Sequence, residues 1–547
     1  AAGSTFLPAG TCLVTGNVRI PANRLFGGAG RALTILQLAN NAVTTIQGVL
    51  RITGDNVSLS GFSIDGNRAN QTDGGAPNVQ AGIYAADRLN IQIDDIEVYQ
   101  LEKAGIYIID SSDIRISNVE ARDNDLHGIQ VQRSRGGATT NNIQIINVNV
   151  HDNGVTAEAD GNGVDIRGAS QGPCPNTASY INNFTLSNVV ANNNYRHGIV
   201  ILAAQHGSIN GGVYSNHINN GALNVASGIT ISEESMYIAI SGGVAYGNYN
   251  GYQVDTGNCA GNTFGTHTFT GSIAKHSINV EFRVQGTPNV TLDGVQALTD
   301  TGAASGSRAD YGILLSDSTQ ARVHACRVEG AGQHGINIAN GSLSQSDIII
   351  DGCNIRSNGT GSANDAGIRI AGSGANTMQR LQLRQNTIVG NNPYGINIQS
   401  AGGGITDMRV EFNQFSNNTV SDLNGMSLAT VLSEGVFTAT ATGLITAPTV
   451  PVKYASYGRN VTLWIPGVTG TSNAVTFTLT GMPTFLRPTS AQRWVISFTD
   501  NGVYAGRYLV LQPSGVLDFG ITPGILGGFT AAGTKGPDDI SASYLLQ

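Results

Sequence analysis

The sequence predicts a right-handed parallel β-helix followed by an antiparallel β-sandwich, because it combines a glycine-marked repeat, strict apolar alternation and few charges. The chain has 547 residues, of which 72 are glycine, and only 12% are charged and 6% aromatic. An ordinary globular domain carries about twice that charged fraction, roughly 25%. This composition suits a stack of short strands and tight turns better than helices packed on a sheet.

The repeat is a Gly-apolar-x-apolar string. Its first three copies are spaced by 23 residues and the next two by 35, as expected for a 23-residue unit with inserted loops. A second alternation follows each copy, for example NIQIDDIEV (90–98), which predicts half-buried strands. Asn- and Gly-rich corners separate the strands, because these residues tolerate a left-handed backbone. The string begins at Gly82, Gly105, Gly128, Gly163, Gly198, Gly228, Gly251, Gly312, Gly335, Gly367 and Gly395.

Changes in this pattern give four segments. Residues 1–40 are expected to form an N-terminal cap and first coil, and 41–430 the β-helix. A Ser/Thr/Ala-rich stretch, 431–445, is interpreted as a linker, and longer strands with Pro-Gly turns predict the β-sandwich over 446–547. Each coil buries its Ile and Val inward, so function must lie on outward residues and inserted loops.

Charge and cysteine content exclude several classes of protein. The net charge of −8 argues against nucleic-acid binding, which favours basic proteins. No apolar run approaches ~18 residues and no signal peptide is visible. The five cysteines show no CxxC spacing, so neither a zinc site nor a disulfide framework is expected, and Cys326 and Cys353 are interpreted as inward core residues. No metal and no cofactor are expected.

Outward positions of adjacent coils gather polar residues around Gly163. The longest regular repeats flank the same place, which predicts a groove walled by loops. The candidate catalytic residues are His127, Asp165, Arg167, Arg196 and His197. The candidate substrate-binding residues are Tyr84, Tyr107, Gln130, Gln132, Thr230 and Glu233.

This set suits β-elimination at a uronic acid. A cation must neutralise the carboxylate, a base must take the C5 proton, and an acid must protonate the leaving O4. Arg167 or Arg196 can supply the cation, His197 or His127 the base, and a Tyr or His the acid, while Asp165 orients its neighbours. Hydrolysis would instead need two carboxylates, which Asp165 with Asp160 or Glu158, or with Glu233 and Glu234, can provide.

Two coils resemble those of alginate C5-epimerases. The segments NVHDNG (149–154) and NNNYRHGIVI (192–201) match coils in which an Asn-rich corner precedes an Arg-His-Gly that lines the active groove. This resemblance implies groove positions for Arg196 and His197. The family's Tyr, Asp and His of the preceding coil correspond here to His127, Gln130 and Gln132. The stretch 5–38 is similar to the opening coil of pectate lyases.

The whole chain resembles bacteriophage tailspikes, and its closing string FTAAGTKGPDDISASYLLQ (529–547) is similar to their C-terminal sandwich modules. Within that group it looks most like Pseudomonas phage lyases of the lipopolysaccharide O-antigen. The resemblance implies a homotrimer on the virion that depolymerises host polysaccharide, without membrane insertion. Other tail proteins would attach through a segment preceding Ala1. An endo-glycosidase, a non-catalytic fibre and a secreted bacterial enzyme remain alternatives.

Overall fold

The structure is a computed structural model, and its contacts group into two units, residues 1–322 and 323–547. No helix among the described residues is long and apolar enough to cross a membrane. Cys174 and Cys259 lie outside the described residues. The structure describes residues 3–42, 47–71, 81–134, 136, 139–154, 160–169, 179–217, 226–256, 265–299, 309–373, 376–401, 404–425, 431–457, 460–522, 525–526 and 528–546.

The first unit is a right-handed parallel β-helix, as the sequence predicted. Successive coils pair strand on strand in parallel, and a 3₁₀ turn, Arg68–Asn70, follows strand β7. The strands are β1 Gly3–Leu7, β2 Gly10–Val14, β3 Val18–Ile20, β4 Arg24–Gly28, β5 Thr34–Leu38, β6 Gly48–Ile52, β7 Val57–Asp65, β8 Ala81–Ala86, β9 Leu89–Tyr99, β10 Ile106–Ile109, β11 Ser112–Ser117, β12 Glu120–Arg122, β13 Ile129–Gln132, β14 Thr140–Ile146, β15 Asn149–His151, β16 Val164–Arg167, β17 Ile181–Ser187, β18 Val190–Asn192, β19 His197–Leu202, β20 Ala204–Asn210, β21 Val213–Ser215, β22 Ser227–Ser232, β23 Met236–Ser241, β24 Val244–Tyr246, β25 Asn250–Asp255, β26 His267–Thr270, β27 Ile273–Lys275, β28 Val280–Gln285, β29 Val290–Asp293, β30 Gln296–Leu298 and β31 Tyr311–Ser316.

The glycine-marked strings form one sheet of this unit, which we call the glycine sheet. Its strands are β3, β6, β8, β10, β13, β16, β19, β22, β25, β28 and β31, in that spatial order. The glycine is needed because coils approach closely there. A Cβ added at Gly128 would lie 2.7 Å from the carbonyl oxygen of Gly163 and 3.0 Å from Nδ2 of Asn153.

A buried ladder of asparagines supports the neighbouring corner. Asn124 Nδ2 donates to Asn153 Oδ1 at 2.9 Å, and Asn153 Nδ2 donates to Asn194 Oδ1 at 2.8 Å. His217 takes the next place, because its Nδ1 accepts the backbone N–H of Asn194 at 3.2 Å and its own N–H donates to Asn248 Oδ1 at 2.9 Å. The Asn-rich corners are therefore structural as well as turn-forming.

One coil departs from this rule. Glu281 stands in β28 at the position that Gly251 holds in β25. Its carboxylate accepts Ser277 N–H at 3.1 Å, Ser277 Oγ–H at 2.6 Å and Thr299 Oγ1–H at 3.2 Å. Burial raises the pKa of Glu281 to about 7, against these hydrogen bonds, which lower it. The carboxylate of Glu281 therefore occupies the space at the corner that the short side chain of Ser277 does not fill.

The second unit contains further parallel coils and an antiparallel sheet. Cys326 and Cys353 stack in its core, where the N–H of Cys326 donates to Cys353 Sγ at 3.4 Å, which confirms their interpretation as core residues. Among its described residues, Thr484–Leu486 form a 3₁₀ turn. The remaining strands are β32 Arg322–His324, β33 Arg327–Glu329, β34 His334–Ala339, β35 Gln345–Ser346, β36 Ile349–Asp351, β37 Asn354–Arg356, β38 Ala366–Ser373, β39 Met378–Gln379, β40 Gln382–Arg384, β41 Thr387–Val389, β42 Tyr394–Ala401, β43 Ile405–Thr406, β44 Met408–Ser416, β45 Ser421–Asn424, β46 Val431–Thr442, β47 Thr449–Tyr457, β48 Asn460–Ile465, β49 Gly470–Thr471, β50 Thr478–Thr480, β51 Gln492–Asp500, β52 Val503–Leu511, β53 Leu517–Thr522, β54 Ile525–Leu526, β55 Thr534–Pro537 and β56 Ile540–Leu545.

The antiparallel sheet begins earlier than the sequence indicated. Residues 431–445, interpreted as a linker, instead contain strand β46, which pairs antiparallel with β47 and β50. The alternation of its small Ala and Thr residues places Ala439 and Ala441 in the sandwich core. Phe477, Phe498 and Phe519 form the centre of that core, with ring centroids 5.0 to 5.6 Å apart.

Candidate functional site

The glycine sheet brings the predicted site residues onto adjacent strands. We call one line of paired residues the outward row, because inward Ile and Val residues alternate with it. Gln130 lies beside Asp165, and Gln132 beside Arg167. The outward row runs Arg19, Arg51, Tyr84, Tyr107, Gln130, Asp165, Val200, Thr230, Gln253, Arg283 and Leu314.

The central part of this row is not exposed, contrary to what its outward direction suggests. Asp165 is 0% exposed, Val200 and Thr230 are each 4% exposed, and His127 and His197, which lie beside the row, are 2% and 3% exposed. Strand alternation predicts that a side chain points outward. It does not predict whether other groups of the protein cover that side chain. Polar side chains in such a place need partners, since unpaired buried polar groups are costly.

Asp165 is the centre of the cluster. Its carboxylate receives a two-pronged contact from Arg167, with Nη2–Oδ2 at 2.8 Å and Nε–Oδ1 at 3.3 Å. His127 Nε2 lies 3.4 Å from Asp165 Oδ2. The carboxylate raises the pKa of Arg167 further, so this guanidinium stays charged. Asp165 therefore orients both an arginine and a histidine.

Asn162 is the residue that sequence reasoning missed. Its N–H donates to His127 Nδ1 at 3.3 Å, its Nδ2 to Asp165 Oδ2 at 3.5 Å, and its Oδ1 accepts the N–H of His197 at 3.2 Å. It precedes Gly163 just as His127 and His197 precede their glycines. This shared position before a glycine was the sequence signal that could have identified Asn162.

The two histidines are held as neutral donors. Nδ1 of His127 accepts the Asn162 N–H, which leaves the proton on Nε2, facing Asp165. Nδ1 of His197 accepts the N–H of Ser227 at 3.1 Å and lies 3.0 Å from Thr230 Oγ1. Burial lowers the pKa of both rings. This tautomer differs from the expectation of a histidine base, because the lone pair of each ring is already used.

A second carboxylate, Asp160, receives both arginines. Arg196 Nη1 contacts Asp160 Oδ1, and Arg167 Nη2 lies 3.8 Å from Asp160 Oδ2. The three side chains remain partly open to solvent, with 29%, 28% and 37% exposure for Arg196, Arg167 and Asp160. Two guanidiniums thus converge at the accessible side of the buried Asp165.

Tyrosines occupy the strands before this cluster. Tyr107 donates its hydroxyl hydrogen bond to Gln132 Oε1 at 2.7 Å, and Gln130 Nε2 lies 3.4 Å from the same oxygen. Tyr84 packs edge-on against Tyr107, with ring centroids 5.7 Å apart. Burial, followed by the neighbouring Tyr84 and the charges of Asp110 and Asp165, raises the pKa of Tyr107 to about 12, so the phenol remains protonated.

Glu233 and Glu234, the acidic pair of the following coil, lie in different surroundings. Glu233 is partly exposed and near enough to contribute to the raised pKa of Arg167, so it belongs to the cluster. Glu234 is buried instead, and its hydrogen bond with Tyr180 adds to the burial that raises the pKa of this tyrosine to about 12. Glu158, the other carboxylate considered for hydrolysis, lies outside the described residues.

Two protein-family models match parts of the chain. The family of right-handed β-helix regions matches residues 27–173, and a protein family of unknown function, DUF1565, matches residues 232–433. No curated protein sequence matches the chain. The solved structures described next resemble this chain in backbone path and have low sequence identity to it.

The A-module of a mannuronan C-5 epimerase from Azotobacter vinelandii is 16% identical, with a TM-score of 0.34, over 78% of this chain and 89% of its own. The Dettilon tailspike protein is 12% identical, with a TM-score of 0.38, over 99% and 87%. The pre-mature gene product 12 of bacteriophage phi29 is 14% identical, with a TM-score of 0.44, over 77% and 69%. The right-handed parallel β-helix is the architecture that the chain and its family match share.

Proposed function

We propose that this protein binds a uronate-containing surface polysaccharide along the glycine sheet and cleaves it by β-elimination. The observation that carries the proposal is the convergence of Arg167 and Arg196 on the accessible side of a buried, fully bonded Asp165. A uronate carboxylate placed there would meet two guanidiniums. Such pairing acidifies the C5 proton by stabilising the charge that develops when it leaves.

The remaining steps fall to neighbouring groups. Asp160 is the partly exposed carboxylate beside the two guanidiniums, so we assign it as the base that removes the C5 proton. The C4–O4 bond then breaks, a C4=C5 double bond forms, and the leaving O4 takes a proton from the phenol of Tyr107. Tyr107 suits this role because its raised pKa keeps it protonated at neutral pH. His127 positions the cluster through its Nε2, which faces Asp165, and His197 through its backbone N–H, which donates to Asn162.

Hydrolysis is the less favoured reaction at this cluster. Glycosidases need two carboxylates that face the scissile bond from opposite sides. Asp165 is buried and held by Arg167 and His127, and Glu234 is buried against Tyr180. The carboxylate pairs considered from the sequence therefore do not both open onto one substrate.

The test is to incubate the protein with a panel of purified uronate-containing O-antigens and follow the ultraviolet absorbance of a 4,5-unsaturated uronate. Asp160→Asn is expected to lower the rate by about 10²- to 10⁴-fold. Arg115→Gln is the matched control, since Arg115 lies outward on a different strand, β11, against Gln144. Chain shortening without the absorbance would contradict elimination, and no shortening would favour a non-catalytic fibre.

We extend the proposal to the setting of the protein: the body of a phage tailspike that acts as a homotrimer at the host surface. The support is the sequence resemblance of residues 529–547 to C-terminal tailspike modules. Analytical ultracentrifugation is expected to give three times the mass of the chain, which is 56.7 kDa. A monomer at micromolar concentration would contradict the trimer and leave the cleavage proposal in place.

A further inference from the structure

A cleft lies in the second unit, where the last parallel coil, β44 and β45, meets the antiparallel sheet. Its volume is about 540 Å³, within the range of roughly 300–1,000 Å³ that is usual for ligand-binding sites. Phe437 and Tyr454 form a covered floor, since they are 8% and 4% exposed. Gln414, Ser416 and Thr438 are exposed at its rim, so the cleft is open to a ligand from solvent.

Aromatic rings make up much of the apolar lining. Phe485 packs edge-on against Tyr454, with ring centroids 5.7 Å apart, and is itself partly exposed. Tyr454 lies beside its strand partner Gly435, where an added Cβ would be 2.7 Å from the tyrosine hydroxyl oxygen. The glycine therefore makes room for the Tyr454 ring at the floor of the cleft. Phe415, which is also partly exposed, adds a ring from the last coil.

Asp422 supplies the charge of the cleft. It lies in β45, the terminal described strand of its parallel sheet, at the position that Gly395 holds in β42. Glycine is needed in β42, because a Cβ there would be 2.6 Å from the carbonyl oxygen of Asp422. Asn418 Nδ2 donates to Asp422 Oδ1 at 2.9 Å, and Oδ2 has no hydrogen-bond partner among the described residues. One carboxylate oxygen is thus available to a ligand.

The lining selects against acidic ligands and against fully apolar ones. The described residues that line the cleft include no Lys, Arg or His, so the carboxylate of Asp422 would repel an anion. Burial raises the pKa of Asp422, and an apolar ligand would desolvate its carboxylate further without giving it a donor. A neutral pyranose suits both parts of the lining, because its hydroxyls donate to a carboxylate and its C–H face packs on aromatic rings.

We propose that this cleft binds a neutral sugar residue of a polysaccharide, with Asp422 accepting from its hydroxyls and Phe485 packing against its C–H face. The site binds and does not hydrolyse, because glycosidases need two carboxylates and the described lining supplies one. Its ligand differs from that of the proposed cleavage site, where Arg167 and Arg196 select a carboxylate. Either site can therefore exist without the other.

Isothermal titration calorimetry of the whole chain with neutral hexaoses tests the site. The panel is malto-, cello-, manno- and xylohexaose, with hexagalacturonate as the acidic counterpart, and at least one neutral hexaose is expected to bind. Asp422→Asn should weaken this binding about tenfold, because a charge-assisted hydrogen bond becomes a neutral one. Phe485→Leu should weaken it about fivefold, because it removes the ring and keeps an apolar side chain.

Asp407→Asn is the matched control and should bind like the parent. Asp407 is an exposed corner residue of the same unit with a φ of 53°, a backbone conformation that asparagine tolerates. Thermal unfolding followed by circular dichroism checks that all three variants remain folded.

Three outcomes would overturn the proposal. They are failure of every neutral hexaose to bind, parent-like affinity in both Asp422→Asn and Phe485→Leu, and displacement of the bound neutral hexaose by hexagalacturonate. Selective loss of neutral-hexaose binding in the two cleft variants would support it. Cleavage of a uronate polymer is read separately from its ultraviolet absorbance, so failure of the neutral-sugar site and failure of the proposed reaction are distinguishable.

Discussion

Replacing His217 with Asn is expected to protect the β-helix against acid. His217 occupies one step of the buried asparagine ladder and makes the backbone contacts that an asparagine makes elsewhere. Burial lowers the pKa of His217 to about 4, against the backbone carbonyls of Asn194 and Ala191, which raise it. At pH 7.5 an asparagine completes the ladder, so the free energy of unfolding should change by no more than about 1 kcal/mol.

The size of the acid-induced loss follows from the difference between the pKa of His217 in the folded and in the unfolded protein. The unfolded ring titrates near 6.5 and the folded ring near 4. Because the folded pKa is depressed, the stability is present above pH 6.5 and is lost as pH falls through 4. At about 1.4 kcal/mol per pKa unit, the single ring costs about 3 kcal/mol on acidification. His267, whose pKa burial also lowers to about 4, keeps its own cost in the variant.

Guanidinium unfolding followed by far-ultraviolet circular dichroism at pH 7.5 and pH 4 measures the effect. His217→Asn should lose about 3 kcal/mol less than the parent between these two pH values. His206→Asn is the matched control, because His206 is an exposed corner residue stacked on Tyr237. An equal acid-induced loss in His217→Asn and in the parent would refute the reasoning.

Three further predictions concern Glu281, Asn162 and Tyr107. Between pH 4 and pH 8 the parent should lose about 3 kcal/mol of unfolding free energy that Glu281→Gln keeps, because the pKa of Glu281 is about 7 in the folded protein and 4.5 in the unfolded one. Chemical denaturation at both pH values measures this difference, and parallel pH profiles of the two proteins would contradict it. Asn162→Ala should lower polysaccharide cleavage at least tenfold, and Asn162→Asp should lose at least as much because it places a second carboxylate beside the buried Asp165. Parent-like rates would show that the contacts of Asn162 do not position the cluster. Tyr107→Phe should abolish cleavage but retain polymer binding, as measured by absorbance and calorimetry, and full activity would remove Tyr107 as the acid.

The register of the glycine sheet could be predicted from the sequence. Alternation with a period of two residues defines which way each side chain faces, and the recurring glycine defines how neighbouring strands align. Gln130, Asp165 and Thr230 therefore lie on the row to which they were assigned. Burial was not predictable in the same way. Asp165 and Glu234 are 0% and 1% exposed, and no local sequence pattern specifies whether a side chain that points out of a strand or turn is covered.

Two other differences have specific physical causes. The strand at 431–442 was interpreted as a linker because small Ala and Thr residues carry a weak hydrophobic signal, although they alternate correctly for a strand. The histidine tautomers depend on which backbone N–H reaches Nδ1, and that contact exists only after neighbouring coils stack. The residue types at the site could be predicted, and their hydrogen-bonding state could not.

Cleavage in oxygen-18 water tests the central claim most directly. β-Elimination transfers a proton from C5 to the leaving O4 and adds no water, so mass spectrometry of the fragments is expected to show an unsaturated uronate at the new end and no label. Incorporation of oxygen-18 at the new reducing end, with no unsaturated uronate, would show hydrolysis and contradict the roles assigned to Arg167, Asp160 and Tyr107.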